Sequence, residues 1–229
     1  MALSPALVPA RLDEVRSRMA EAARRAGRNP GGITLLGVSK TFPAETVQAF
    51  LAAGLTDFGE NYIQEARAKT AQLAGLEPAP RWHFIGHLQT NKAKYVAGVF
   101  TALHSLDSLE LAEELNRRLT TMGQTMDVYV QVNVAGETTK SGLAPEALPS
   151  FLKALERCPA LKPWGLMTMP PYDPDPEVAR PHFMALRRLR DQYAPDLPGL
   201  SMGMSGDFQV AIEEGATIIR VGTALFGTR

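Results

Sequence analysis

Apolar residues are spaced along this chain in two alternating ways. Short apolar runs, such as ITLLGV at 33–38 and the valine-rich DVYVQVNV at 127–134, are typical of strands in a sheet. Longer segments such as 43–54 repeat apolar residues three or four positions apart, and this one begins at a proline and ends at a glycine, as many helices do. From residue 33 onward this pattern predicts eight strands with seven helices between them.

The alternation predicts a parallel sheet. The strands are predicted at 33–38, 57–61, 81–86, 99–105, 127–134, 161–169, 200–205 and 217–222, and the helices at 43–54, 63–75, 91–98, 107–122, 145–158, 178–194 and 208–215. Pro163 suggests that pairing of the sixth strand begins after it. Eight repeats without a linker favour a single-domain (β/α)8 barrel over residues 1–229. The alternative is an open doubly wound sheet, but the glycine fingerprint typical of that fold is absent from GVSKTFP.

A further helix is predicted before the first strand. Leu12, Val15, Met19 and Ala22 follow helical spacing, and Gly27 ends the segment. The segment is rich in arginine, but it also contains acidic residues and lacks an apolar signal core. We interpret it as an amphipathic helix packed on the barrel, not as a transit peptide.

The composition narrows the classes of function. The 24 Lys+Arg and 24 Asp+Glu residues balance, which argues against a nucleic-acid-binding surface and a polybasic membrane anchor. No apolar run has the length needed to span a bilayer. Cys158 is the only cysteine, which excludes an internal disulfide and fits a reducing compartment. We therefore expect a cytoplasmic protein that binds neither nucleic acid nor membrane.

The end of the first strand carries the most informative side chain. In a (β/α)8 barrel the active site gathers at the C-terminal ends of the strands. The apolar run at 33–38 is followed by Ser39 and Lys40, so the lysine should point into the mouth of the barrel. Most lysines are simply solvated. Partial burial, however, would lower the pKa of this amine and make the free base available to attack an aldehyde.

The ends of the last two strands predict an anion site. SMGMSGD presents Ser205 before a helix that Ser205 or Asp207 would cap, and IRVGTALFG presents Gly222 and Thr223. Either loop alone could be an ordinary glycine turn. Both together, at the ends of strands seven and eight, favour a phosphate site. Motifs for nucleoside triphosphates and dinucleotides are absent.

A lysine and a phosphate site on one barrel predict pyridoxal 5′-phosphate (PLP), an aldehyde that is held by its phosphate. Arg220 lies on the strand that carries the second phosphate loop and would face the pyridine nitrogen, where a cation disfavours protonation. A salt bridge inside the barrel is the alternative role for Arg220. Lys140, on the loop after strand five, is interpreted as a solvated residue or as added positive charge near the mouth.

Two other groups of residues are less informative. His83 and His87 lie in a strand and a loop, so helical metal-ligand spacing does not apply, and no metal site is expected. His83 is predicted to make pocket or structural hydrogen bonds. The methionines at 167, 169, 202 and 204 are predicted to line the core or the pocket, and Met204 is placed in the cofactor site.

Several motifs also resemble one known family. GVSKTFP, FGENYIQEA, WHFIGHLQTNK, HSLDS, VNVAGETTKSG, GLMTM, LSMGMSGD and IRVGTALFG occur in the order found in pyridoxal phosphate homeostasis proteins, from about residue 35 to 229. The resemblance implies a PLP-binding barrel similar to the N-terminal domain of alanine racemase. It also implies a part in maintaining PLP supply and vitamin B6 balance, without established turnover.

The resemblance also implies roles for individual residues. Lys40 would form the aldimine with PLP, and Asn61 would lie near the hydroxyl side of the cofactor. Ser205, Gly222 and Thr223 would hold the phosphate, and Arg220 would face the ring nitrogen. Phe42 stands where many members have a second lysine, so this sequence lacks that neighbouring amine, whereas Lys140 keeps its matching position.

Two enzymatic functions compete with PLP custody. A PLP-dependent amino-acid racemase needs two opposed bases, and only Lys40 is evident; Tyr62 and Tyr172 are loop residues without a sign of that role. A racemase of this fold type also uses a second domain across a dimer, whereas this chain ends seven residues after Gly222, so we expect a monomer. A Schiff-base aldolase usually places its lysine on a later strand. For a protein that holds PLP without turnover, PLP-dependent apo-enzymes would be the partners.

Overall fold

Eight parallel strands close into a barrel in sequence order, which confirms the predicted (β/α)8 fold. The computed structural model describes residues 5–137 and 140–228. The strands are β1 (Thr34–Val38), β2 (Asp57–Glu60), β3 (Arg81–Phe84), β4 (Ala102–Leu106), β5 (Met126–Gln131), β6 (Leu161–Met167), β7 (Gly199–Ser201) and β8 (Ile218–Val221). Pairing of β1 with both β2 and β8 closes the sheet. Because all eight strands are parallel, their C-terminal ends lie at the same rim, and the loops that follow them meet at one mouth of the barrel.

The helices form the outer layer. They are α1 (Val8–Arg25), α2 (Ala44–Ala52), α3 (Ile63–Gln72), α4 (Leu109–Met122), α5 (Leu148–Leu155), α6 (Arg180–Tyr193), α7 (Phe208–Glu213) and α8 (Thr223–Phe226). As predicted, α1 buries Leu12, Val15, Met19 and Ala22. It packs against α7 and α8, so the additional N-terminal helix covers the part of the barrel wall that leads to the last two loops.

A helix and the start of a strand differ from the sequence prediction. The connection between β3 and β4 contains a 3₁₀ helix, Thr90–Tyr95, where an α-helix was expected over 91–98. The prediction that pairing of β6 begins after Pro163 is wrong, because β6 pairs with β5 from Leu161 onward. Pro163 stands opposite Val128, next to a shift in register, and such an irregularity accommodates a residue that has no N–H to donate.

The inside of the barrel is polar at its centre. Apolar side chains fill the layer between strands and helices, and Leu36, Tyr129, Met167 and Ile218 form a smaller apolar cluster. Between these layers lie buried histidine, serine and arginine side chains on β3, β4, β7 and β8. Within the part of the chain that the structure describes, no helix is long and apolar enough to cross a membrane.

Candidate functional site

A cavity of about 540 Å³ opens at the C-terminal ends of the strands. Seven of the eight predicted cofactor residues line it: Lys40, Asn61, Met204, Ser205, Arg220, Gly222 and Thr223. They come from the ends of β1, β2, β7 and β8, which the closed barrel brings to one rim. The fold therefore assembles one site from residues up to 183 positions apart in the sequence.

Lys40 enters the cavity two residues after β1 ends. Its side chain is partly buried. The apolar side chain of Val38 lines the same wall, and Phe42 packs on Phe226 with ring centroids 5.3 Å apart. The residue at position 42 therefore supplies an apolar surface beside the amine.

Asn61 is positioned by the backbone of the neighbouring loop. A side chain on Gly86 would place its Cβ only 2.3 Å from the Asn61 carbonyl oxygen, so the two loops touch backbone to backbone. The Oδ1 atom of Asn61 is buried and has no hydrogen-bond partner among the described residues. Because a buried polar atom usually has a partner, this oxygen is suited to a ligand in the cavity.

The loops after β7 and β8 are joined by one hydroxyl. Ser205 Oγ accepts hydrogen bonds from the backbone N–H groups of Gly222, at 3.2 Å, and Ala224, at 3.3 Å. Asp207 Oδ1 accepts from the N–H of Met204 at 2.6 Å, so its carboxylate braces the loop. Neither residue donates or accepts a side-chain capping bond for α7, and the predicted capping role is therefore wrong.

Arg220 is a buried cation at the floor of the cavity. Its side chain donates to two neutral acceptors, the Ser201 hydroxyl at 2.8 Å and the Thr168 carbonyl at 3.0 Å. Burial lowers the pKa of its guanidinium to about 10, while the charge of Asp207 raises it. Arg220 thus remains charged at neutral pH. Among the described residues it makes no ion pair, which removes the alternative of a salt bridge inside the barrel.

His83 lies away from the cavity, although it was placed in the cofactor site by sequence. Its Nε2 lies 3.2 Å from Asp57 Oδ1 and its Nδ1 lies 3.0 Å from Nε2 of His104. His104 Nδ1 in turn lies 2.8 Å from the Ser201 hydroxyl. With both imidazoles neutral, the donors run in one direction, from Arg220 through Ser201 and the two histidines to Asp57.

The electrostatics along this line of hydrogen bonds agree with a neutral His104. Burial, with the charges of His83 and Arg220, lowers the pKa of His104 well below its ordinary value. Burial alone would raise the pKa of Asp57, but hydrogen bonds from His83, Arg81 and Thr56 lower it to about 2. His83 therefore makes the structural hydrogen bonds that were one of its two predicted roles, and it supports Arg220 through other residues.

Other candidates lie around the cavity or outside it. Lys140 pairs with Glu137 at 2.7 Å and does not belong to the cavity lining. Tyr172, on the loop after β6, does line the cavity, and its side chain is 86% exposed. Met202 is fully buried in the core. Within residues 5–137 and 140–228, no group of three or more His, Cys, Asp or Glu side chains is arranged to hold a metal ion.

A charged cluster that the sequence pattern did not indicate lies beside Lys40. Glu60 ends β2 and Lys69 lies in the last turn of α3; both are buried, and Lys69 Nζ lies 2.7 Å from Glu60 Oε1. Burial raises the pKa of Glu60 while the hydrogen bonds from Lys69 and Ser39 lower it, and the net shift is upward. A glutamate within a strand and a lysine within a helix give no signal of their own, because only the fold brings them together.

Comparisons with known proteins agree on one family. The family described as "Alanine racemase, N-terminal domain" matches residues 10–229. A pyridoxal phosphate homeostasis protein of Aquifex aeolicus is 48% identical over 96% of this chain and 97% of its own, and one of Pseudomonas aeruginosa is 48% identical over 94% and 93%. Among solved structures, PipY of Synechococcus elongatus with PLP bound is 38% identical, with a TM-score of 0.79, over 91% of this chain and 100% of its own.

Proposed function

Because the chain belongs to the pyridoxal phosphate homeostasis protein family, we propose that it binds PLP covalently at Lys40 and serves intracellular PLP and vitamin B6 homeostasis. The proposal is carried by the groups that line the cavity, which are an amine, a buried guanidinium and two loops with backbone amides. PLP offers a group to each of them, namely an aldehyde, a ring nitrogen and a phosphate. The PLP bound to PipY supports the same ligand.

The residues fit the cofactor on an observation independent of the family. The buried Oδ1 of Asn61 lacks a hydrogen-bond partner within the described residues, and the side chain faces the cavity, where the hydroxyl side of PLP would supply one. The cavity volume of about 540 Å³ also falls in the range of small-ligand pockets.

Each lining residue then has a part in binding. Lys40 would supply the neutral primary amine that joins an aldehyde with loss of one water. Ser205, Gly222 and Thr223 would hold the phosphate through backbone N–H groups and hydroxyls, while Met204 lines the wall. Arg220 would hold its charge beside the ring nitrogen and disfavour protonation there, because a second cation next to the first is repelled.

The first test locates the attachment. Protein incubated with PLP, reduced with borohydride and digested should carry the pyridoxyl group on the peptide that contains Lys40. Lys40→Ala should lose the visible absorbance of the adduct and keep its fold, whereas the matched variant Lys140→Ala should keep both, because Lys140 is paired with Glu137 outside the cavity. A pyridoxyl group mainly on Lys140 or another lysine would contradict the assignment.

We further propose that PLP custody proceeds without enzymatic turnover. The alternative is a PLP-dependent amino-acid racemase, and the observation in its favour is Tyr172, which lines the cavity as a second group able to move a proton. Its side chain is 86% exposed, however, whereas a general base is normally fixed at hydrogen-bond distance from its substrate.

The turnover question is decided by exchange at the α-carbon. In heavy water, the PLP-loaded protein should exchange the α-proton of alanine and other amino acids only at trace rates. Saturable exchange that depends on Lys40, falls in Tyr172→Phe and approaches about 1 per second, within the usual enzyme range, would establish a racemase-like enzyme instead.

The proposal extends to the wider biological role. PLP-dependent apo-enzymes would receive the cofactor, the cytoplasm would be the compartment and the monomer would be the acting form. The partners, the compartment and the monomeric state are expected from the sequence, together with the family membership.

A further inference from the structure

The peptide that follows Lys40 is held in a strained conformation. Thr41 has a φ of +68°, and it is the one non-glycine residue with positive φ in the described part of the chain. This left-handed region is disfavoured for residues with a Cβ and most of all for β-branched ones such as threonine. Backbone strain of this kind persists only where the surroundings impose it.

Helix α3 supplies the group that imposes it. The carboxylate of Glu65, in the first turn of α3, accepts the backbone N–H of Thr41. One turn later on the same helix, the Lys69 ammonium donates to the same Glu65 oxygen at 2.6 Å. Lys69 thereby fixes the Glu65 carboxylate, and this carboxylate holds the backbone that follows Lys40.

Lys69 also holds the chain on the other side of Lys40. Its ammonium donates to the backbone carbonyl of Ser39 at 2.6 Å and to Glu60 at 2.7 Å. Glu60 accepts from the Ser39 hydroxyl at 2.6 Å as well. The residues immediately before and after Lys40 are thus both tied to one cluster, whose central side chain is only 5% exposed.

Stability does not explain why this cluster is charged. Burying a lysine with two carboxylates costs desolvation energy, and the ion pairs do little more than offset this cost. Proteins with apolar residues of similar size in place of such a cluster are often as stable or more stable. A charged cluster does, however, fix backbone groups in direction, because each hydrogen bond requires its own geometry. The two backbone groups that it fixes flank the residue whose amine meets the ligand.

We propose that Glu65 and Lys69 are positioning residues that aim the Lys40 amine at the PLP aldehyde. The inference rests on the proposed function and adds to it residues that lie outside the cavity lining. Fixing the backbone on both sides of Lys40 limits the positions that the amine can sample. The amine is thereby kept close to the position from which it can attack the aldehyde. Covalent capture depends on this aim, whereas contacts to the ring and the phosphate do not.

The test compares two ligands that differ only in the aldehyde. PLP reacts with Lys40, whereas pyridoxine 5′-phosphate carries an alcohol at that position and binds without a covalent bond. In Glu65→Ala we expect PLP affinity to fall by about ten-fold or more, because orientation of a reacting group is worth large factors. The affinity for pyridoxine 5′-phosphate should change less than about two-fold over the parent, since no amine is aimed at it.

Three further variants complete the design. Glu65→Gln keeps an acceptor for the Thr41 N–H and should retain most of the parent's PLP affinity. Lys69→Met keeps the length of the side chain without its charge and should reproduce Glu65→Ala, which also covers the case in which Glu65→Ala does not fold. Glu114→Ala on α4 removes more exposed ion pairs, to Arg117 and to Arg118, from residues that do not line the cavity, and it should change neither affinity.

The outcomes separate the inference from the proposed function. Equal losses of both ligands in Glu65→Ala and Lys69→Met would reduce the cluster to a structural support and overturn the positioning role, as would unchanged PLP affinity in both. A parent protein without a borohydride-reducible adduct would instead refute the proposed function, and the positioning role with it.

Discussion

At the residue scale, the geometry of the site depends on the absence of a Cβ atom at Gly86. Its backbone lies against that of Asn61, and a Cβ there would come within 2.3 Å of the Asn61 carbonyl oxygen and 2.8 Å of its Cα. Such contacts are too short for any relaxation of a side chain to relieve, because both partners are backbone. The position of the Asn61 amide therefore depends on glycine at 86.

We expect Gly86→Ala to lower PLP affinity by about ten-fold, because displacing the Asn61 loop removes a hydrogen bond of about 1 to 1.5 kcal/mol. Gly206→Ala is the matched control: Gly206 lines the same cavity, but an added Cβ meets nothing within 4 Å. Titration of both variants with PLP, with unfolding curves recorded alongside, provides the measurement. If Gly86→Ala binds PLP as tightly as Gly206→Ala does, the backbone contact does not position the site.

Residues at strand ends could be predicted from the sequence, and residues that act through them could not. Lys40 and Gly222 lie within two residues of a strand's C-terminal end, and in a barrel all these ends lie at the mouth. Glu65 and Lys69 lie within a helix that reads as an ordinary amphipathic segment. Their role depends on which side of α3 faces β1, and the spacing of apolar residues does not contain that information.

At the scale of elements, the sequence predicted the order of strands and helices better than their ends. The predicted helix at 91–98 is a 3₁₀ helix, Thr90–Tyr95. The predicted strand at 200–205 is reduced to Gly199–Ser201. Two residues later, Gly203 takes a φ of +94° and turns the chain toward the cavity.

The early end of β7 has a functional consequence. After Ser201 the chain still bonds to β8, because the Met202 N–H donates to the Ile218 carbonyl at 3.2 Å and the Gly203 carbonyl accepts the Arg220 N–H at 2.9 Å, and it leaves the strand direction at Gly203. This places Ser205 next to the amides after β8. A regular strand through residue 205 would carry the hydroxyl past them along the barrel wall.

At the scale of the whole molecule, one line of hydrogen bonds connects the cavity to the opposite end of the barrel. It runs from Arg220 through Ser201, His104 and His83 to Asp57 at the start of β2. Each member is buried, so each would carry a desolvation cost without its neighbours. The charge at the cofactor end and the carboxylate at the other end therefore depend on the same chain of groups.

This arrangement predicts how stability depends on pH. The pKa of Asp57 is about 2 in the folded protein, below its ordinary value of 3.8, so the charged form is favoured by folding. The corresponding stabilisation, about 2 kcal/mol, is fully present above about pH 4 and is lost as the pH falls toward 2. Asp57→Asn keeps the shape and an acceptor for His83, but it removes the charge.

We therefore expect the free energy of unfolding of Asp57→Asn to lie below that of the parent by about 2 kcal/mol at pH 6 and by roughly half as much at pH 3. Urea unfolding at several pH values measures this difference. Asp107→Asn is the control of opposite sign, because burial raises the pKa of the partly buried Asp107 and its contribution is lost as the pH rises. A gap between parent and Asp57→Asn that stays constant from pH 6 to pH 3 would show that the carboxylate charge does not stabilise the polar line through the barrel.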